Sequence, residues 1–201
     1  MSSTSAPFGL RPAFHPSGLD RAQALAGGIV SGYSTTILKG QPVAYGTTAN
    51  GGTLGTIIPI TTSSSQATWS GAFAGVEWTD STGRRRVSNY WPANTAYLTG
   101  SCIAYFYNDQ NIVYEIQADG SMAQTTIGNE YLFTNVTSGS TTTGLSQATL
   151  GSGTAVGNGN PGQMRVVDLG QGVDNAWGDS YTVVRVVNSA SQFFGTVNAI
   201  A

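Results

Sequence analysis

No segment of this 201-residue chain keeps a helical period for more than about two turns. Short β-prone runs take its place, each cut off by a turn signal. The densest region, residues 73–119, reads FAGVEWTDSTGRRRVSNYWPANTAYLTGSCIAYFYNDQNIVYEIQAD. Residues 76–79 and 86–90 flank the turn Asp80-Ser81-Thr82-Gly83, and residues 102–107 and 111–117 flank a second turn at Asn108-Asp109. This spacing predicts two aromatic hairpins joined by Trp91-Pro92-Ala93-Asn94. Trp78, Trp91, Tyr105, Ile112 and Tyr114 are assigned to the core.

The pattern continues on both sides. Residues 29–33, 36–38 and 41–45 read as short strands, and 55–61 as a strand that Pro59 confines to an edge or a bulge. Residues 62–65 form a polar loop. Further strands fall at 129–136, 145–150 and 164–169, with the long breaker cluster 151–162 between the last two. Residues 181–188 (YTVVRVVN) are the most β-branched run and belong at the centre of a sheet. About ten to twelve strands result, which predicts an all-β fold: a β-sandwich or a jelly-roll-like barrel.

Residues 1–28 differ from the rest and are read as an extended N-terminal arm on a body of residues 29–201. Pro7, Pro12 and Pro16 favour extended backbone around them, and Phe8, Leu10 and Phe14 are spaced along it as apolar anchors. Such an arm cannot form its own core but can dock on a neighbouring surface. Residues 21–26 could form a helical turn before Gly27-Gly28 stops it.

Composition excludes several functions. Charged residues make up 9% of the chain, far below the ~25% of an average domain. Net charge is −2 with a single Lys, which argues against a nucleic-acid surface. No apolar run is long enough for a membrane helix, and no signal-peptide pattern opens the chain, so synthesis in a cytoplasm is expected. So weakly charged a surface suits burial in a larger assembly, as a homo-oligomer, dimer or trimer.

Chemistry finds little support. The lone His15 lies in the arm, where a surface or docking role is expected, and no second His exists for a His-based metal site. The single Cys102 sits in an apolar run and is expected to be an inert buried thiol. Glu77, Glu115, Glu130, Asp168, Asp174 and Asp179 show no pairing suited to glycosidic chemistry, and the alternation around Glu115 predicts a solvent-facing side chain. Asp109 and Asp119 sit at turns and lack calcium-loop spacing. No catalytic, cofactor-binding or metal-binding residues are assigned, and no enzyme is expected. Arg84, Arg85 and Arg86 adjoin the first hairpin turn and are expected to pair with acids of a neighbouring subunit. An exposed Trp91 or Trp177 could instead serve as a sugar platform, which leaves a carbohydrate-binding module or a receptor-binding tail component as the alternative.

An ordered set of segments resembles the capsid decoration, or cement, proteins of tailed bacteriophages. The set runs Ala6-Pro7-Phe8-Gly9-Leu10-Arg11-Pro12, Lys39-Gly40-Gln41-Pro42-Val43, Phe73-Ala74-Gly75-Val76 and Tyr90-Trp91-Pro92-Ala93. It continues through Asn108-Asp109, Glu115-Ile116-Gln117-Ala118-Asp119 and Gly139-Ser140-Thr141-Thr142-Thr143-Gly144 to Arg165-Val166-Val167-Asp168-Leu169 and Gly178-Asp179-Ser180-Tyr181-Thr182. The chain departs from the family pattern at Asn108-Asp109-Gln110, where Asp-Asp-Pro is expected, and in lacking a His near Asn188. The resemblance implies a structural protein on the outer surface of an icosahedral virion, clamping adjacent major capsid protein subunits and made in a bacterial host. The expected contacts are Phe8, Leu10, Arg11 and Phe14 in the arm and Arg84, Arg85 and Arg86 on the hairpin.

Overall fold

The structure, a computed structural model, describes residues 4–18, 22–48, 51–61, 68–153, 155–156, 160–193 and 195–196. The loop expected at 62–65, together with Arg21, lies outside them. The strands are β1 (Arg11–Phe14), β2 (Gln23–Ala26), β3 (Pro42–Tyr45), β4 (Ile57–Pro59), β5 (Gly71–Thr79), β6 (Arg85–Ser88), β7 (Ile103–Tyr107) and β8 (Val113–Gln117). There follow β9 (Glu130–Tyr131), β10 (Phe133–Thr134), β11 (Gly139–Ser140), β12 (Leu145–Ser146), β13 (Thr149–Leu150), β14 (Met164–Leu169), β15 (Val183–Asn188), β16 (Ala190–Ser191) and β17 (Gly195–Thr196). One 3-10 turn spans Gln124–Thr126.

Two antiparallel sheets form a sandwich, as the turn spacing predicts. A five-stranded sheet has the order β1-β8-β15-β14-β9. A six-stranded sheet has the order β2-β7-β5-β3-β4, with β6 also on β5. The β-branched strand β15 is central, between β8 and β14. Strand β4, with Pro59, lies at an edge, where a missing donor is tolerated.

Alternation along the strands builds two cores. Tyr114, Ile116, Val166, Val184 and Val186 of the five-stranded sheet meet Ala44 and Ala72 of the other, around Trp69 and Phe133. Val43, Phe73, Val76, Ala104 and Phe106 point the opposite way and pack with Ile29, Ile37, Trp91 and Cys102. The six-stranded sheet is thus covered on both faces.

Three local expectations change. Residues 29–38 form that outer cover rather than strands: Gly32 turns with φ +75°, and Ile37 and Trp91 exchange backbone bonds of 3.1 and 2.7 Å. Residues 23–26 are a strand, not a helical turn, because so short a helix is unstable alone and the edge of β7 offers unpaired backbone. Strands β7 and β8 do not form a hairpin. Strands β5 and β2 occupy both edges of β7, so the chain crosses at Asn108-Asp109 into the other sheet, where Ile112 and Tyr114 are buried. The hairpin of β5 and β6 forms as expected.

The described part of residues 1–28 lies along the body. Strand β1 is the edge of one sheet and β2 the edge of the other. Gly9 makes the passage possible. Its φ is +72°, and a Cβ there would stand 2.6 Å from the Gly40 carbonyl oxygen. This close approach lets the Leu10 amide donate to that same oxygen at 2.8 Å, while the Gly40 amide donates to Phe73 at 2.8 Å.

Short strands leave many backbone groups without a ladder partner, and side-chain amides satisfy several of them. Gln41 accepts from the Leu38 amide at 2.9 Å and donates to the Val136 carbonyl at 2.9 Å. Gln192 accepts from the Tyr45 amide at 2.8 Å and donates to the Tyr45 carbonyl at 3.0 Å. Gln163, fully buried, accepts from the Phe133 amide at 2.9 Å. Gln163→Leu keeps most of the volume but orphans that buried N–H, so it is expected to cost about 1–3 kcal/mol. Urea unfolding of this variant beside Gln124→Leu, at an exposed position, checks it; the control should stay within about 0.5 kcal/mol of the parent.

Candidate functional site

The expected contact residues fall at two separate places. The first is the N-terminal segment on the five-stranded sheet. The Gln117 side chain accepts from the Ala6 amide at 2.9 Å and donates to the Thr4 carbonyl at 3.2 Å, fastening residues 4–6 to β8. The Arg11 guanidinium stacks over the Phe8 ring at 4.7 Å and pairs with Glu115 at 2.5 Å. Leu10 is 3% exposed and belongs to the core, whereas Phe14 is 55% exposed.

Glu115 is buried, contrary to the solvent-facing position expected of it, because Arg11 and residue Gln171 cover it and two cations flank it. Arg185 lies 3.6 Å from its other carboxylate oxygen and 3.9 Å from Asp168. Arg11, Glu115, Arg185 and Asp168 stand opposite one another on β1, β8, β15 and β14. They form a cross-strand ladder of alternating sign whose charges cancel.

Phe8 and Arg11 divide two hollows. One, of about 410 Å³, is lined by Phe8, Leu10, Phe73, Tyr107 and Leu145 with Lys39 at its rim. The other, of about 320 Å³, lies between Phe8, Arg11 and the loop 171–175. Lys39 is exposed and makes no ion pair with a described residue.

The second place is the tip of the β5–β6 hairpin. Asp80 accepts from the Thr82 hydroxyl at 2.6 Å, the Thr82 amide at 2.9 Å and the Arg84 amide at 3.0 Å, and pairs with Arg86 at 2.9 Å. Arg85 pairs with Glu77. Two of the three hairpin arginines are therefore matched to acids of their own chain. The Arg84 side chain is exposed and, among the described residues, has no ion-pair partner; on the opposite face of the hairpin Val87, across from Glu77, is 74% exposed. Beyond β6 the sheet has no further strand among the described residues.

His15 clips the segment to the crossover. Its Nε2 meets Asp109 at 3.0 Å, and its Nδ1 meets the Ser17 hydroxyl at 2.5 Å and accepts from the Ser17 amide at 3.1 Å. The order Ser-His-Asp is that of a hydrolase, but here it closes a turn. Ser17 is two residues from His15, the Gly18 amide donates to the His15 carbonyl at 2.8 Å, and the Ser17 amide competes for the base. Among the described residues no cluster of three or more His, Cys, Asp or Glu side chains is placed to hold a metal ion, and no helix is long and apolar enough to cross a membrane. Of the two aromatic platforms considered, Trp91 is fully buried and Trp177 is half-buried against the core.

No protein-family model, curated protein or solved structure matches the chain.

Phe8, Arg11 and Phe14 were legible as surface candidates from their Pro-rich setting. Lys39, Leu145 and Gln117 were not singled out. Lys39 is the chain's one lysine, a compositional signal that could have pointed to it.

Two outcomes follow from these environments. The Thr82 hydroxyl, the Arg84 amide and Arg86 hold the Asp80 carboxyl far below the usual carboxylate range. Asp80 then contributes stability that is complete above the ordinary aspartate pKa of about 3.9 and is lost as pH falls through the lower folded value. Asp80→Ala should unfold at lower urea concentration than the parent at neutral pH, with the difference narrowing in acid. Urea midpoints measured from about pH 7 to about pH 2 decide it; a constant difference contradicts the assignment. Burial pushes the Cys102 thiol up to about 11. The native protein should therefore resist Ellman's reagent at about pH 8 and react once unfolded.

Proposed function

We propose that this protein is a non-enzymatic virion component that binds the outer surface of an icosahedral phage capsid and bridges adjacent major capsid protein subunits. The observation that carries this reading is the division of its cations. Arg11, Arg85, Arg86, Arg165 and Arg185 all pair with acids of the same chain. Lys39 and Arg84 are left unpaired among the described residues; Lys39 adjoins Leu145, 40% exposed, and the hairpin that carries Arg84 also carries Val87, 74% exposed. Two small mixed surfaces set apart on one β body suit a bridge between neighbouring subunits. Each contact can be modest, because linked contacts reinforce one another through effective concentration.

The ordered resemblance to capsid decoration proteins supplies the partner. A homo-oligomer on that surface would also cover the edge of β6, which has no further strand beside it among the described residues and carries Arg85 and Arg86. The carbohydrate-binding or receptor-binding alternative needs an exposed aromatic platform. The burial of Trp91 and the packing of Trp177 against the core weigh against it.

Co-sedimentation with purified capsids tests the reading. Removing residues 1–28 would delete an edge strand from each sheet, so surface variants are the sounder probe. The parent should pellet with capsids. Arg84→Glu combined with Val87→Ser should stay folded and lose about tenfold or more in affinity, as interface Arg and apolar anchors do. A parent that stays in the supernatant, or a double variant that binds like the parent, contradicts the proposal.

A further inference from the structure

The groove between Phe8 and Leu145 combines features that specify an occupant. Its floor and walls are apolar: Leu10 and Phe73 below, with Phe8, Tyr107 and Leu145 around them. At about 410 Å³ it has room for one or two side chains. Around Lys39 and Gly40 the backbone is already committed. The Lys39 amide donates to the Gly144 carbonyl at 2.9 Å, the Lys39 carbonyl accepts from the Ser146 amide at 2.9 Å, and the Gly40 carbonyl accepts from Leu10 at 2.8 Å. An occupant beside Lys39 and Gly40 therefore binds there through side chains.

The charges decide which side chains. Arg11, which also lines the groove, is spent on Glu115, and the ladder it belongs to sums to zero. Among the described residues that line it, Lys39 alone brings an uncompensated charge. One ammonium beside an apolar hollow is too little for a nucleic-acid backbone, which needs several cations, but it matches one carboxylate next to one apolar side chain.

We propose that this groove receives a segment of a capsid subunit in which an apolar side chain neighbours an Asp or Glu. The apolar group fills the hollow over Leu10 and Phe73, and the carboxylate pairs with Lys39. The identity of the partner rests on the capsid-surface reading above; the chemistry of the occupant rests on the groove.

Because Lys39 is the chain's only lysine, a carbodiimide that joins amines to carboxylates reads this contact directly. Treated complexes of the full-length protein with capsids should yield a peptide linked through Lys39 to an Asp or Glu of the shell subunit, identified by mass spectrometry. Lys39→Arg should keep shell binding but give no link at that position. Lys39→Met should weaken shell binding about tenfold or more, as loss of a charge-assisted bond does. If no link maps to Lys39 and Lys39→Met binds shells like the parent, the groove assignment falls while the capsid reading stands.

If instead the parent does not bind shells, the capsid reading falls, and the purified protein still decides the groove. Titration with anilinonaphthalene sulfonate, an apolar anion, should give fluorescence that Lys39→Met and Leu145→Ser each reduce; Leu145 is exposed enough for its replacement to spare the fold. Unchanged fluorescence in both variants overturns the proposal. So does a Lys39-linked homodimer formed by the protein alone, which would make a second copy the occupant.

Discussion

A fold made of many very short strands must satisfy backbone groups that no neighbouring strand reaches. Buried N–H and C=O groups without partners cost more than most single contacts return. This chain meets the requirement with neutral amides. Gln41, Gln117, Gln163 and Gln192 each accept from a main-chain amide, and Gln41, Gln117 and Gln192 also donate to a main-chain carbonyl. Asn175 does the same from its loop to the start of β15, accepting from the Val183 amide at 2.9 Å and donating to the Val183 carbonyl at 2.8 Å. A carboxylate could only accept and an ammonium only donate, whereas an amide does both without a buried charge. This gives a physical reason why so little charge suffices here.

The charges that remain are placed where strands must be held in register. Glu130 pairs with Arg165 at 2.7 Å across β9 and β14, and the Arg11-Glu115-Arg185-Asp168 ladder crosses four strands. Register matters most for β1, which has Pro12 within it and a bulge between Pro12 and Phe14. Arg11–Glu115 fixes one end of that short pairing, His15–Asp109 the other, and Leu10 in the core anchors the segment between the two sheets. An edge strand so attached can present Phe8 and Phe14 at the surface without leaving the body.

What could be read from the residues was local. Alternation and β-branching locate β3, β5, β7, β8, β14 and β15, because each of those runs carries its own burial pattern. The hairpin at Asp80 was legible because Asp, Thr and Gly satisfy their own turn. The path from β7 to β8 was not, since Asn108-Asp109 suits a hairpin equally well. What decides the crossover is that the edge of β7 is already taken by residues 23–26, some eighty positions earlier in the chain. Glu115 misled for the same reason. Its strand alternates, but the face it occupies is closed by β1 and by the loop at Gln171, and neither is visible from β8 alone.

The groove at Lys39 shows how such distant choices create a site. Gly9 and Gly40 bring two segments so close that a side chain at Gly9 would strike backbone. That approach places Phe8 opposite Leu145, and the parallel bridge from Lys39 to Leu145 sets the cation at the rim. The ladder meanwhile withdraws Arg11 from service, so the hollow keeps one charge rather than two. A change at Glu115 would therefore do more than weaken β1. It would free Arg11, raise the positive charge of the groove and alter which partners it prefers, coupling the register of the sheet to the chemistry of its surface.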